Sequence, residues 1–206
     1  MTLKEHYFWT VSGPWTEKNE ATDTEWKWKV EGKTLYLAFK GSTSKLDWKQ
    51  NFMFWIAAVR QAYKKQPVKW FAHAGFMEKW KSVQGDVLEK ILSEDIDRVV
   101  VSGFSQGGAV AILCHEDLWF KDDPWSVSTV TWGAPRVVWF WNWKKIAVRF
   151  KAVIMYRIRR DVVPKEPPKL FGYVDVGEVV PLGDPGISFP WQWEKIHMSY
   201  KGYMEV

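Results

Sequence analysis

The chain has 206 residues, 47 % of them hydrophobic, with 29 basic against 24 acidic side chains and a formal net charge of +5. That length and apolar content suit one α/β domain with a full core, and they exclude both a disordered chain and a bundle of membrane spans. Basic and acidic residues are mixed along the chain, which argues against a nucleic-acid partner, and the single Cys114 excludes an internal disulfide.

Residues 1–30 are polar with scattered aromatics and read as an N-terminal helix or arm laid over the body. The opening Met1-Thr2-Leu3-Lys4-Glu5-His6 has no apolar stretch of the signal-peptide kind. With one cysteine, the expected compartment is the cytoplasm, a secreted mature form staying open. Lys33–Lys40 reads as a strand ended by Gly41, and Gly41-Ser42-Thr43-Ser44 as a polar loop. Over 46–65 the spacing of Leu46, Phe52, Ile56, Val59 and Tyr63 predicts a helix, ended by Pro67. Trp70–Gly75 reads as a strand remnant or loop. Phe76, Trp80, Val83, Val87 and Ile91 then mark one face of an amphipathic helix over 75–93.

The run Val99-Val100-Val101-Ser102-Gly103-Phe104-Ser105-Gln106-Gly107-Gly108 organises the chain. Three valines predict a strand buried on both faces, and the apolar run from Ala109 predicts a helix packed back on it. Strand, Gly-x-Ser-x-Gly, helix is the context of a nucleophile elbow, in which a strained turn exposes the serine hydroxyl at the sheet edge. Gly103 and Gly107 have no Cβ, so strand and helix can approach closely. Further on, Val127–Trp132 predicts a strand, 137–147 a short helix, Lys151–Ile158 a strand, Tyr173–Val180 part of a hairpin, and Trp193–Tyr200 a C-terminal helix. No repeat or linker divides the chain, so 1–206 reads as one domain.

A serine needs a base, and the base needs an orienting carboxylate. Of His6, His73, His115 and His197, only His197 follows the serine outside its own helix. His115 lies almost three helical turns beyond Ser105, out of reach of its hydroxyl. Asp161 falls where the strand ending at Ile158 gives way to a Pro-containing loop, which suits the acid. Asp175 and Asp184 are its rivals. The oxyanion calls for two donors: the backbone N–H of Gln106 and, from the loop after the early strand, that of Ser42.

These residues resemble the class 3 lipases. The resemblance runs through Ala38-Phe39-Lys40-Gly41-Ser42-Thr43-Ser44 with Asp47-Trp48 and Asn51, His73-Ala74-Gly75-Phe76, the elbow, and Thr131-Trp132-Gly133-Ala134-Pro135-Arg136-Val137. It continues through Asp161-Val162-Val163-Pro164 and His197 with Tyr200. It implies an α/β-hydrolase fold, with a central, mostly parallel sheet and helices on both faces, and hydrolysis of lipid esters. Ser105 is then the nucleophile, Asp161 the acid, His197 the base, and Ser42 and Gln106 the oxyanion hole. Phe104 and Gln106 depart from the family's usual His and Leu around the serine, and look more like carboxylesterases and acyl-protein thioesterases.

Three functions follow as expectations: a lipase or esterase; a soluble short-chain esterase or thioesterase of the same mechanism; or a non-catalytic lipid- or partner-binding protein. The stretch 46–65 lies where the family carries a lid, with Phe52 and Trp55 as substrate contacts beside Phe104. The cluster Trp139-Phe140-Trp141-Trp143, adjoined by Lys144 and Lys145, is a second candidate for lipid-surface contact. No metal-ligand cluster or nucleotide loop is visible, so no cofactor is expected. The sequence leaves the oligomeric state open.

Overall fold

The structure, a computed structural model, describes residues 1–41, 68–121, 124–183, 193–198 and 203, together with the backbone of 56–60. Helix α1 (Leu3–Val11) opens with a reciprocal cap: Thr2 Oγ1 accepts from the Glu5 amide, and the Glu5 carboxylate accepts from the Thr2 amide. Strands β1 (Glu17–Asn19), β2 (Thr24–Glu31) and β3 (Thr34–Phe39) follow, then β4 (Ile56–Arg60) and β5 (Lys69–His73). Helix α2 (Ala74–Leu92) leads to β6 (Arg98–Phe104), α3 (Gln106–Lys121) and β7 (Ser126–Trp132). After β8 (Val138–Trp139) and the short α4 (Trp143–Ile146) come β9 (Val153–Ile158), β10 (Tyr173–Val174), β11 (Glu178–Leu182) and α5 (Trp193–His197).

Seven strands form the main sheet in the order β1-β2-β3-β6-β7-β9-β11. From β3 to β11 the neighbours run parallel, and β1-β2-β3 is an antiparallel meander at one edge. The parallel strands therefore end together along one edge. A smaller antiparallel sheet has the order β10-β8-β5-β4.

Side chains alternate between faces along each strand, and the two faces have different covers. Leu35, Leu37, Val99, Val101, Val153 and Met155 join the larger core, with α2 and α3 laid over it. On the other face, Trp132, Ile158 and the partly buried Tyr156 meet α1 through Tyr7. Helix α1 is pinned there by polar contacts. Thr10 Oγ1 donates to Ser102 Oγ at 2.9 Å, and Ser102 Oγ donates on to Leu37 O at 3.0 Å. The N-terminal segment is thus a helix plus two sheet strands rather than an arm alone.

Three expectations are corrected. The helix expected over 46–65 lies mostly outside the described residues, but 56–60 is a strand, paired with β5 from Ile56↔His73 to Arg60↔Lys69. Over five residues the apolar spacing does not separate helix from strand, and the edge of β5 supplies backbone partners that no local reading contains. Residues 137–147 divide into β8 and α4, because Val138 and Trp139 pair with β10. Tyr173–Val180 is not a hairpin. Strand β10 pairs with β8, whereas β11 joins β9 in parallel, so the turn between them passes the chain from one sheet to the other.

Two histidines sit inside this fold as neutral groups. His6 is enclosed by Trp9, Tyr36 and Trp132. His115 bridges Thr129 Oγ1 at 2.9 Å and the Arg149 carbonyl at 2.8 Å, so Nε2 carries the proton and Nδ1 accepts. Burial lowers both from the ordinary 6.5 to about 4. Between those values the unfolded chain binds protons that the folded chain refuses, so stability rises with pH through that window. The unfolding free energy from urea titration is expected to fall as pH drops from 6.5 toward 4, by up to about 1.4 kcal/mol per pH unit for each histidine. His6→Phe makes that slope shallower; an unchanged slope contradicts the assignment.

Candidate active site

Ser105 stands alone between β6 and α3 with φ +54°, a left-handed value that is uncommon and costly for a side chain other than glycine. The surroundings enforce it. The Ser105 amide donates to Trp132 O at 2.9 Å, at the end of β7, and the Gly108 amide returns a bond to Ser105 O at 2.9 Å. The strand–turn–helix packing leaves no space at the elbow glycines: an ideal Cβ on Gly103 would overlap Gly107 O, and one on Gly107 would overlap Phe39 O. This is the close approach expected from the sequence, now with its partners named. Gln106 opens α3, where backbone amides have no intrahelical acceptor.

Asp161 follows β9 and is fully buried. A buried carboxylate needs donors on both oxygens. Oδ1 accepts from the Val163 amide at 2.9 Å. Oδ2 accepts from His197 Nδ1 at 2.6 Å and from the Tyr203 hydroxyl. Burial, and then the neighbouring Asp161 charge, raise the Tyr203 phenol well above its usual range, so it stays a neutral donor. His197 is fully buried at the end of α5. Phe104, the residue before Ser105, stacks on its imidazole with ring centroids 4.8 Å apart. On the strand side, Gly133 has φ +62°, and a Cβ there would come within 2.9 Å of His197 Cε1. The ring is held from both sides, with the carboxylate fixing Nδ1.

Ser105 thus meets Trp132 and His197 meets Gly133, consecutive residues at the end of β7. The loop after β3 also reaches this point: a Cβ on Gly41 would lie 3.5 Å from Ser105 Cβ. The structure brings Ser105, Gln106, Phe104, Asp161 and His197 to one edge of the sheet. Ser42, Phe52, Trp55 and Tyr200 lie outside the described residues.

The rivals separate cleanly where they are described. Asp175 binds Arg136 at 2.9 Å, Arg157 at 2.7 Å and Lys169 at 2.8 Å. Burial alone would raise its carboxyl, but these cations hold it down, to about 2. It is a structural anchor, and its partners are these three cations rather than an imidazole. Asp184 lies outside the described residues. Arg136 also braces the loop that begins at Asp161. Its guanidinium donates to Lys165 O and Pro167 O, and its amide bonds Glu166 O at 2.7 Å. Sequence reasoning missed Tyr203. It has no local signature, and the spacing after His197 pointed to Tyr200 instead.

Comparison with known proteins bears on the family and the fold. The sequence model of the family "Lipase (class 3)" matches residues 36–171, a span that includes Ser105 and Asp161 and stops short of His197. The lipase of Rhizomucor miehei is 32% identical over 157 residues, covering 71% of this chain and 41% of that protein. The secreted mono- and diacylglycerol lipase 1 of Fusarium solani is 29% identical over 149 residues, covering 68% of this chain and 41% of that protein. The chain therefore spans less than half the length of these curated relatives. Among solved structures, native Rhizomucor miehei lipase in its propeptide complex superposes with a TM-score of 0.67 at 26% identity, over 81% of this chain and 55% of that one. The fold is that of an α/β-hydrolase, and the chain belongs to the class 3 lipase family.

Proposed function

We propose that this protein hydrolyses carboxylic esters of lipids through an acyl-enzyme. The observation that carries the reading is the buried Asp161–His197 pair set against the same strand end that anchors Ser105. His197 Nε2 takes the Ser105 hydroxyl proton as Oγ attacks the ester carbonyl. Asp161 holds the imidazolium that forms, and the amides of Gln106 and Ser42 receive the oxyanion. Collapse breaks the bond to the alcohol, which leaves with the proton from His197. Water then attacks the acyl carbon, giving its proton to His197, and Ser105 regains that proton as the acid departs.

Phe104 lines the acyl side, with Phe52 and Trp55 as further contacts. Its stacking on the imidazole favours a second reading worth keeping. Phe104 and Gln106 flank the serine where the family usually carries His and Leu, a pattern that suits short soluble esters or thioesters. The secreted Fusarium relative supports the mature secreted form over a cytoplasmic one.

A fluorophosphonate probe is expected to label the protein at Ser105 and to leave Ser105→Ala unlabelled. With p-nitrophenyl esters of rising chain length, a rise in rate on micellar long-chain substrate supports the lipase reading. A preference for short soluble esters selects the second reading, and no turnover together with no labelling sinks both.

Tyr203→Phe keeps the ring but removes a donor from the carboxylate that orients His197. It is expected to lower kcat about tenfold while leaving KM within about twofold, as loss of one hydrogen bond to a charged group implies. Equal changes in kcat and KM, or none, would count against a positioning role.

A further inference from the structure

Away from the site, four large apolar side chains stand out from the surface: Phe140 is 50% exposed, Trp141 54%, Leu170 91% and Phe171 51%. They belong to two loops, one after β8 and one a single 3-10 turn, Lys169–Phe171, before β10. The β8–β10 pairing holds these loops together, with Trp139↔Tyr173 and Val138↔Val174 opposite each other. The Phe140 amide bonds Gly172 O at 2.7 Å, and the Trp139 indole bonds Phe171 O at 2.8 Å. The four side chains therefore form one fixed platform. The aromatic cluster seen in the sequence divides here: Trp143 packs on the main core, while Phe140 and Trp141 turn outward.

Single exposed apolar residues are ordinary, but a contiguous group of large ones marks a contact surface. The charges around it indicate what it contacts. Residues 137–160 contain no acidic side chain and seven basic ones, of which Arg149 turns inward to Glu116 and Arg157 to Asp175. Lys144 and Lys145 are exposed directly beyond Trp141. Lys69 adjoins the platform, because Asn142 Nδ2 donates to its carbonyl at 2.7 Å. Lys169 borders the second loop but pairs with Asp175 at 2.8 Å, so the positive rim lies on the side of Lys144, Lys145 and Lys69. Outward aromatics and a leucine bordered by lysines match the two halves of an anionic lipid surface, acyl chains below and negative headgroups above. Among the described residues no helix is long and apolar enough to cross a membrane, so the contact is with the surface.

We propose that the platform of Phe140, Trp141, Leu170 and Phe171, with its lysine rim, docks the protein on anionic lipid surfaces. In the chain the two loops lie downstream of Gly133 and of Asp161, respectively. The proposal takes from the preceding reading only that the substrate is a lipid; binding itself does not need Ser105.

The test is therefore run on Ser105→Ala protein, by co-sedimentation with phosphatidylcholine vesicles with and without about 30 mol% phosphatidylglycerol. Affinity is expected to rise about tenfold with the anionic lipid and to fall with added salt. Adding L170Q and F171Q lowers binding to both vesicles about tenfold, and adding K144Q and K145Q removes the anionic preference. On the Ser105 background, the L170Q/F171Q variant keeps the unsubstituted rate on a short soluble ester, which reports an intact fold. Indifference to phosphatidylglycerol, or vesicle binding unchanged in both variants, overturns the proposal. So does a dimer in sedimentation equilibrium that L170Q/F171Q abolishes, since the platform is then covered by a second copy. If vesicles bind but no ester is cleaved, the docking surface stands and the hydrolase reading fails.

Discussion

A fully buried carboxylate at the end of β9 sets the terms for the site. Taking an ionised group out of water costs several kcal/mol unless its oxygens find donors, and removing one partner from a buried pair typically costs about 3–5 kcal/mol. Asp161 is matched by three donors drawn from three places: its own loop at Val163, α5 at His197, and Tyr203 beyond it. The carboxylate therefore ties the C-terminal segment to the main sheet. The same bonds that relieve the buried charge also fix the imidazole, so folding and orienting the base are one event.

The sheet supplies the other half. Parallel strands end together, and β6, β7 and β9 deliver Ser105, Gly133 and Asp161 to one line. Strain at Ser105 persists because its amide is bonded to β7 and its flanking glycines leave no room to relax. Helix α1 reaches this region from the far face. Tyr7 stacks near Tyr203, with centroids 6.3 Å apart, and meets Trp132 edge-on at 5.3 Å. Tyr7, Phe104, Trp132 and Tyr203 thus form one aromatic layer, and Phe104 stacks from it onto the imidazole. Several of the chain's abundant aromatic residues are used in this way, as rigid filling around a polar pair, while Phe140 and Trp141 face water.

Much of this could be read from residue order. The elbow was legible because its chemistry is local: valines, two glycines and a serine specify a strand, a turn and a helix within ten residues. Asp161 and His197 were legible because few candidates fit, four histidines and the three aspartates Asp161, Asp175 and Asp184. What escaped was set by distant partners. Residues 56–60 became a strand because β5 lay beside them, and the stretch after Tyr173 divided because β8 and β9 each claimed one piece. Tyr203 escaped because its role comes from one long-range bond that no spacing announces. The three cations around Asp175 give that rival aspartate a structural role of its own, which residue order does not show.

If Ser105, His197 and Asp161 act as one unit, removing any part of the reacting pair disables the whole. The most direct measurement is the residual ester hydrolysis of Ser105→Ala, of His197→Ala, and of the two combined. The account predicts that the double variant is no slower than either single one, because the second substitution has nothing left to remove. Losses that multiply, with the double variant slower by the product of the two singles, would mean that the serine and the histidine work independently.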